Sequence, residues 1–180
     1  MASKFRFVRD TVLREGIERA FDHIVDLLAL SESSNYSDLA KSSFRKTVII
    51  HTASVIEALL LHLVRTACEK DDLVREQWIL KDRKILHEID SMTRIVAGKQ
   101  RKVIEDVDPD IMNLGQINIF LRDKNVISET LFKKIDRVRV LRNEQHLGTN
   151  KKLKEYSRPD LEFVFSVAKK VKELCERKAQ

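Results

Sequence analysis

The sequence is poor in residues that make tight turns. Its 180 residues include only four glycines and two prolines, too few for the many turns of a β-sandwich or β-barrel. Charged residues make up 34% of the chain and apolar residues 43%, and many of the charged ones are good helix formers. We therefore predict an all-α protein, an antiparallel bundle of four main helices with a short helical or hairpin insert.

Cysteine is also scarce. Cys68 and Cys175 are the only two, and they form no CxxC motif. This usage excludes a disulfide-stapled secreted protein and is typical of a reducing compartment. The first thirteen residues alternate basic and apolar side chains too finely for a signal peptide. We expect a cytoplasmic protein.

Long apolar runs are missing as well. The most apolar stretch, 48–64, is interrupted by His51, Glu57 and His62, so it is too short and too polar to span a bilayer. We expect a soluble protein with no membrane partner. His51 and His62 are expected to be structural histidines.

Motifs for phosphate loops and metal sites are absent. The glycines at 16, 98, 115 and 148 are far apart, which excludes Walker-type and dinucleotide-binding loops. The five histidines do not pair with cysteines or acids at metal-ligand spacings. We predict no metal and no cofactor.

Apolar residues recur at three- and four-residue steps along much of the chain. This period predicts helices over 10–30, 38–68, 114–124, 129–146 and 160–177. Polar caps precede several of them, for example Ser128 and Ser157. No repeat or linker divides the sequence, so we predict a single helical domain over 1–180.

The pattern is weakest over 73–113. Trp78–Ile89 is predicted to be helical, with Ile79, Leu86 and Ile89 as core positions, and Trp78 as a core or interface anchor. Thr93–Ile104 contains two β-branched pieces around Gly98 and favours either a small hairpin or a frayed helix.

Positive charge is concentrated in the last third of the chain. Residues 122–180 carry 16 Lys and Arg against 9 Asp and Glu, whereas residues 1–121 carry 18 against 19. Such an asymmetry is typical of a surface that meets polyanions. A solubilising charged face gives the same pattern.

Arg142 and His146 lie four residues apart near the predicted end of a helix. At that spacing the two side chains share one helix face. An imidazole suits proton transfer near neutral pH, and a guanidinium suits a phosphate and its developing charge. The pair predicts metal-independent RNA cleavage. The alternative is a His that favours the helix dipole beside an ordinary surface Arg.

The run from Ile135 to Gly148, IDRVRVLRNEQHLG, resembles the signature helix of the HEPN superfamily. These are small helical bundles in which an Arg, usually followed by a polar residue such as Asn, precedes a His near the end of a late helix. The segments Leu121–Ser128 and Ile50–Arg65 resemble the helices that accompany it. One departure is that three residues separate Arg142 from His146, where the usual number is four to six.

The resemblance implies an endoribonuclease of a toxin–antitoxin or antiviral type, acting as a homodimer, with RNA as substrate and an antitoxin or other protein as partner. Two Arg/His pairs then meet in one cleft. The implied residues fall into three groups: Arg142, His146 and Asn143 are catalytic; Arg137, Arg139, Lys151 and Lys152 bind RNA; Glu57 lines the cleft.

Several alternatives stay open at this stage. Superfamily members that have lost activity serve as binding or scaffolding modules, so an inert module is the second hypothesis. A DNA-binding regulator ranks last, because no helix-turn-helix pattern occurs. Glu57 is expected either to pair with Arg142 and orient it, or to reach solvent or form an interhelical ion pair. Solvated charge is the simpler explanation for Arg137 and Arg139.

Overall fold

The computed structural model describes residues 4–69, 73–144 and 155–179. The chain forms two compact units. Met1–Cys68 together with Pro109–Gln180 form the first, which we call the helical unit, and Glu69–Asp108 form the second, which we call the hairpin.

The described residues contain five α-helices and a two-stranded antiparallel sheet, which makes a mixed α+β fold. The prediction of an all-α bundle is therefore wrong. The error lies in 78–89, where residues 78–88 belong to a strand rather than a helix. Leu86 and Ile89, predicted as core, are 59% and 58% exposed, and Trp78 is 66% exposed rather than buried in a core.

The predicted helices outside that region are confirmed to within a few residues, but the helix predicted over 129–146 ends at Asn143, with Glu144 as its C-cap. The prediction that Arg142 and His146 share one helix face therefore has no support from this helix, and His146 itself lies outside the described residues. The helices are α1 (Thr11–Glu32), α2 (Asp38–Ala67), α3 (Leu114–Asp123), α4 (Glu129–Asn143) and α5 (Arg158–Lys178). A short 3-10 helix, Pro109–Ile111, precedes α3.

Side-chain caps explain where these helices begin. Ser37 accepts a hydrogen bond from the backbone N–H of Ala40 at the start of α2, and Ser128 does the same for Leu131 at the start of α4. The predicted start of α5 is confirmed by the reciprocal contacts of Ser157 with Asp160. Each cap satisfies N–H groups that the first helical turn leaves without a partner.

The core of the helical unit is built around α2. Ile49, Ile56, Leu60 and other apolar side chains of this helix are almost fully buried, and α2 packs against all four other helices. A helix buried over so much of its circumference is central to its unit. It is long and apolar enough to cross a membrane by composition, but most of that stretch is buried inside the unit, which is consistent with a soluble protein.

The hairpin consists of β1 (Val74–Glu88) and β2 (Arg94–Asp106), paired from Val74 with Asp106 to Glu88 with Arg94. The register shifts between Lys81 and Lys84, where Asp82 adopts a positive φ of 52°. Gly98 faces this bulge, and a Cβ there would lie 2.7 Å from the carbonyl oxygen of Lys81. Neither alternative predicted for Thr93–Ile104, a small hairpin around Gly98 or a frayed helix, is correct, because nearly all of this stretch belongs to the single strand β2 and Gly98 lies in its middle.

Candidate functional site

The candidate site is positioned by α4. Ile135, Val138 and Leu141 are buried and fix the inward face of this helix. Arg142 follows Leu141 in the last turn, where the helix dipole favours a cation. The packing of α4 therefore decides in which direction the guanidinium is presented.

Arg142 forms an ion pair with Glu57 of α2. Its Nη1 donates to Oε2 of Glu57 at 2.8 Å, and the two side chains are 35% and 25% exposed. Glu57 follows the fully buried Ile56 in the central helix, so the carboxylate sits on a rigid support. A charge-assisted hydrogen bond of this length orients the guanidinium, and the exposed part of Arg142 keeps donors for another oxyanion.

Glu57 was expected to pair with Arg142, to form an interhelical ion pair or to reach solvent. The ion pair with Arg142 joins α2 to α4, so it agrees with the first two of these expectations. The chemical consequence is that the pair is locally neutral, so Arg142 attracts a polyanion less strongly than an isolated guanidinium would.

The two other arginines predicted to bind RNA are also held by neighbours. Arg139 donates through Nε to Asp136 at 2.8 Å, and a Cβ on Gly115 of α3 would lie 3.1 Å from Cδ of Arg139. Gly115 thus leaves room for the Arg139 stem. The guanidinium of Arg137 lies over the ring of Phe163, 4.4 Å from its centre. Stacking of this kind leaves the N–H edge available to a phosphate.

Asn143 is the last residue of α4 and is exposed. His146, Lys151 and Lys152 lie outside the described residues, so their predicted roles stay predictions. The described chain resumes at Glu155, and the Tyr156 N–H donates to Ser42 Oγ of α2 at 3.0 Å. Burial and the nearby carboxylate of Glu144 raise the pKa of Tyr156.

The two histidines of α2 that were expected to be structural lie against aromatic rings. His62 is 4% exposed, and its ring centre lies 6.2 Å from that of Phe7. The ring of His51 packs edge-on against that of His23 at 4.7 Å. Burial lowers the pKa of both His51 and His62, which favours neutral imidazoles that serve packing.

A second group of cations, on α4 and α5, was not predicted from the sequence. Lys134 of α4 and Lys170 of α5 line one pocket, together with Arg177. Two Lys-Lys dipeptides, at 133–134 and 169–170, are the signal in the sequence. Their meeting depends on how α4 packs against α5, which the sequence pattern does not contain.

Comparison of the chain with models of protein families, with curated proteins and with solved structures gave no match. The resemblance to the HEPN superfamily accordingly stays a prediction that depends on the motif residues themselves.

Proposed function

We propose that this protein is a metal-independent endoribonuclease of HEPN-like type, with Arg142 and His146 as its active pair. In this proposal it acts in the cytoplasm as a homodimer, in a toxin–antitoxin or antiviral system. The observation that carries the proposal is the contact between Arg142 and Glu57, which holds a partly exposed guanidinium at the end of α4, directly before the segment that contains His146.

The proposed chemistry is transesterification within RNA. An imidazole of His146 accepts the proton of a ribose 2′-OH, and the 2′-oxygen attacks the adjacent phosphorus. The bond from phosphorus to the 5′-oxygen breaks, and that oxygen takes up a proton, which leaves a 2′,3′-cyclic phosphate and a 5′-OH end. Arg142 stabilises the charge that develops on the phosphoryl oxygens, and Arg137, Arg139, Lys151 and Lys152 hold the backbone.

The first test is cleavage of labelled oligoribonucleotides by the purified protein in the presence of EDTA. We expect cleavage with cyclic phosphate ends. We also expect Arg142→Ala to lower kcat by about 100- to 1000-fold and His146→Ala by at least about 100-fold.

Arg19→Ala is the matched control. Arg19 is an exposed arginine of α1 that forms a weak ion pair with Glu15, so this variant has the same loss of charge without touching the site. Full activity of Arg142→Ala or His146→Ala, or loss of activity on chelation, contradicts the proposal.

Glu57 is a positioning residue in this scheme. Glu57→Ala removes the acceptor of the 2.8 Å hydrogen bond, and we expect a lower kcat with little change in KM. Glu57→Gln keeps an acceptor oxygen and should retain most of the activity. If Glu57 were only structural, both variants would be less stable, but their kcat per folded molecule would be the same.

The neutrality of the Arg142–Glu57 pair favours a second candidate, an inert HEPN-like module that binds a protein or nucleic-acid partner. In that case Arg142 serves interhelical stability. The same assay separates the two candidates: RNA binding without turnover, unchanged in His146→Ala, supports the inert module, and turnover that disappears with the motif excludes it.

The proposed homodimer is tested independently by sedimentation equilibrium. A dimer is expected at micromolar concentration, and variants mixed in one solution provide a further check. If Arg142→Ala and His146→Ala subunits share one composite cleft, mixing them should restore only part of the activity of the original protein.

A further inference from the structure

A pocket of about 380 Å³ lies between the start of α4 and the second half of α5. Its lining combines apolar side chains, among them Ile127, Leu131 and Leu174, which we call the wall, with three cationic side chains, which we call the rim: Lys134, Lys170 and Arg177. Its size falls at the lower end of the range for small-molecule sites, about 300–1000 Å³.

The two lysines of the rim come from different helices, Lys134 from α4 and Lys170 from α5, and both line the pocket. The neighbouring ammonium group of Lys170 lowers the pKa of Lys134. Two like charges on long flexible side chains normally separate, because their repulsion is unfavourable even in water. Both lysines nevertheless line this one pocket, and an anion bound between them would relieve their repulsion.

The neighbouring lysines behave differently. Lys133 pairs with Glu129 at 3.5 Å, and Lys169 pairs with Glu173 at 4.0 Å. Within the ranges that the structure describes, neither Lys134 nor Lys170 forms an ion pair with a carboxylate. One member of each Lys-Lys dipeptide is thus compensated, and the other faces the pocket.

The single carboxylate that lines the pocket, among the described residues, is Glu173. Its partner is Lys169, which does not line the pocket. Three cations against one carboxylate leave a net positive site beside an apolar wall. A phosphate group would complement the positive charge, and a nucleobase would pack against the apolar side chains.

We propose that this pocket is a binding site for the phosphate of a nucleoside monophosphate, with Lys134, Lys170 and Arg177 around the phosphate and Ile127, Leu131 and Leu174 against the base. The site goes beyond the proposed nuclease activity. Lys134 precedes Arg142 by eight residues on α4, which corresponds to about 12 Å along the helix axis, so the pocket and the Arg142–Glu57 pair are separate.

Isothermal titration calorimetry of the full chain with AMP tests the proposal. We expect one AMP per chain, weaker binding of inorganic phosphate, and no binding of adenosine. The double variant K134Q/K170Q should bind AMP at least about tenfold more weakly, since it loses two charge-assisted contacts.

The matched control is K133Q/K178Q, which removes the same charge from the same two helices at residues outside the pocket. It should bind AMP within about twofold of the original protein. Equal weakening of both double variants would show a diffuse charge effect and overturn the proposal, and so would the absence of AMP binding at millimolar concentration. None of the four lysines is buried, so neither double variant should unfold the protein. Circular dichroism verifies that both are folded.

A short oligoribonucleotide tests whether the bound phosphate belongs to a free mononucleotide or to an RNA backbone. Binding of the oligonucleotide without binding of AMP would make the pocket part of an RNA surface and overturn the mononucleotide assignment. Arg142→Ala and His146→Ala should leave AMP affinity unchanged, so failure of the nuclease proposal does not affect this test.

An NMR titration of the lysine side chains gives a second readout. A bound phosphate favours the charged ammonium, so AMP should raise the pKa of Lys134 toward its ordinary value. A pKa that stays the same at saturating AMP would place the ligand elsewhere.

Discussion

The helical unit and the hairpin differ in where they put their apolar side chains. In the helical unit Ile56, Leu60 and Ile135 are completely buried. In the hairpin Trp78, Leu86 and Ile104 are 59–66% exposed. A two-stranded hairpin depends on its backbone ladder and cross-strand pairs, which give marginal stability in water. The stability of the chain therefore originates in the helical unit.

Amide hydrogen exchange should show the largest contrast between the two units. Amides of the buried part of α2, such as those of Leu59 and Leu63, should exchange only through global unfolding, whereas those of β1 and β2 should exchange through local opening. Protection that differs by several orders of magnitude is expected. Equal protection in both units would contradict the conclusion that the helical unit carries the stability.

A cavity in the central helix should cost the most free energy among single substitutions. Leu60 is fully buried, so Leu60→Ala should lower the free energy of unfolding in urea by about 2–5 kcal/mol. Leu39→Ala, at a position of the same helix that is 77% exposed, is the control and should change it by less than about 0.5 kcal/mol. A small effect at Leu60 would mean that α2 is not the core.

Acidification should weaken the helical unit through His62. Burial lowers the pKa of His62, and the charges of Arg65 and Arg9 add to this against the opposing charge of Asp10. The unfolded chain therefore binds a proton more readily, so stability is complete above about pH 6.5 and falls as the pH drops below it. Chemical denaturation at several pH values should show this slope.

The variant His62→Gln should lose part of that pH dependence. His51, whose pKa is also lowered by burial, accounts for a further part. His87→Gln, on the exposed surface of β1, should leave the slope unchanged. A slope that survives the His51→Gln/His62→Gln double variant would contradict the assignment.

Loss of a helix cap should have a moderate effect. Ser37→Ala removes the side-chain acceptor for the Ala40 N–H at the start of α2, and should cost about 1 kcal/mol in thermal or urea unfolding. Ser54→Ala is the control in the middle of the same helix, where the hydroxyl only donates to the Ile50 carbonyl. A larger loss at Ser54 than at Ser37 would contradict the cap.

Removing an apolar side chain from the hairpin should have the smallest effect. Leu86→Ala should change the free energy of global unfolding by less than about 0.5 kcal/mol, because Leu86 is 59% exposed. A loss as large as that of Leu60→Ala would show that the hairpin is part of the cooperative core.

The helices of the helical unit could be predicted from the sequence because they are amphipathic and capped. The period of apolar residues located α1 to α5 in order, and Ser128 and Ser157 marked their starts. The hairpin was missed because none of its described side chains is buried. Without a buried face, residues 78–89 show no clean alternation of apolar and polar side chains, and the spacing of Ile79, Leu86 and Ile89 fits a helix equally well.

The turn of the hairpin gave no signal either. It uses Asp90, whose Oδ1 accepts from the backbone N–H groups of Met92 and Thr93 at 2.7 Å, rather than an Asn-Gly or Asp-Gly pair. For the site, residue type and spacing were enough to select Arg142 and to name Glu57 as its partner. The meeting of Lys134 with Lys170 depends on the packing of two helices, which no local pattern contains.

The base of the hairpin is closed by a hydrogen bond from the Val107 N–H to the Leu73 carbonyl. Within the helical unit, Arg65 near the end of α2 forms an ion pair at 2.6 Å with Asp110, which follows the hairpin in the chain. The segments before and after the hairpin are therefore close together. Because the entropy of closing a loop grows only slowly with its length, the hairpin is free to lengthen or shorten during evolution while α2 and α3 keep their places.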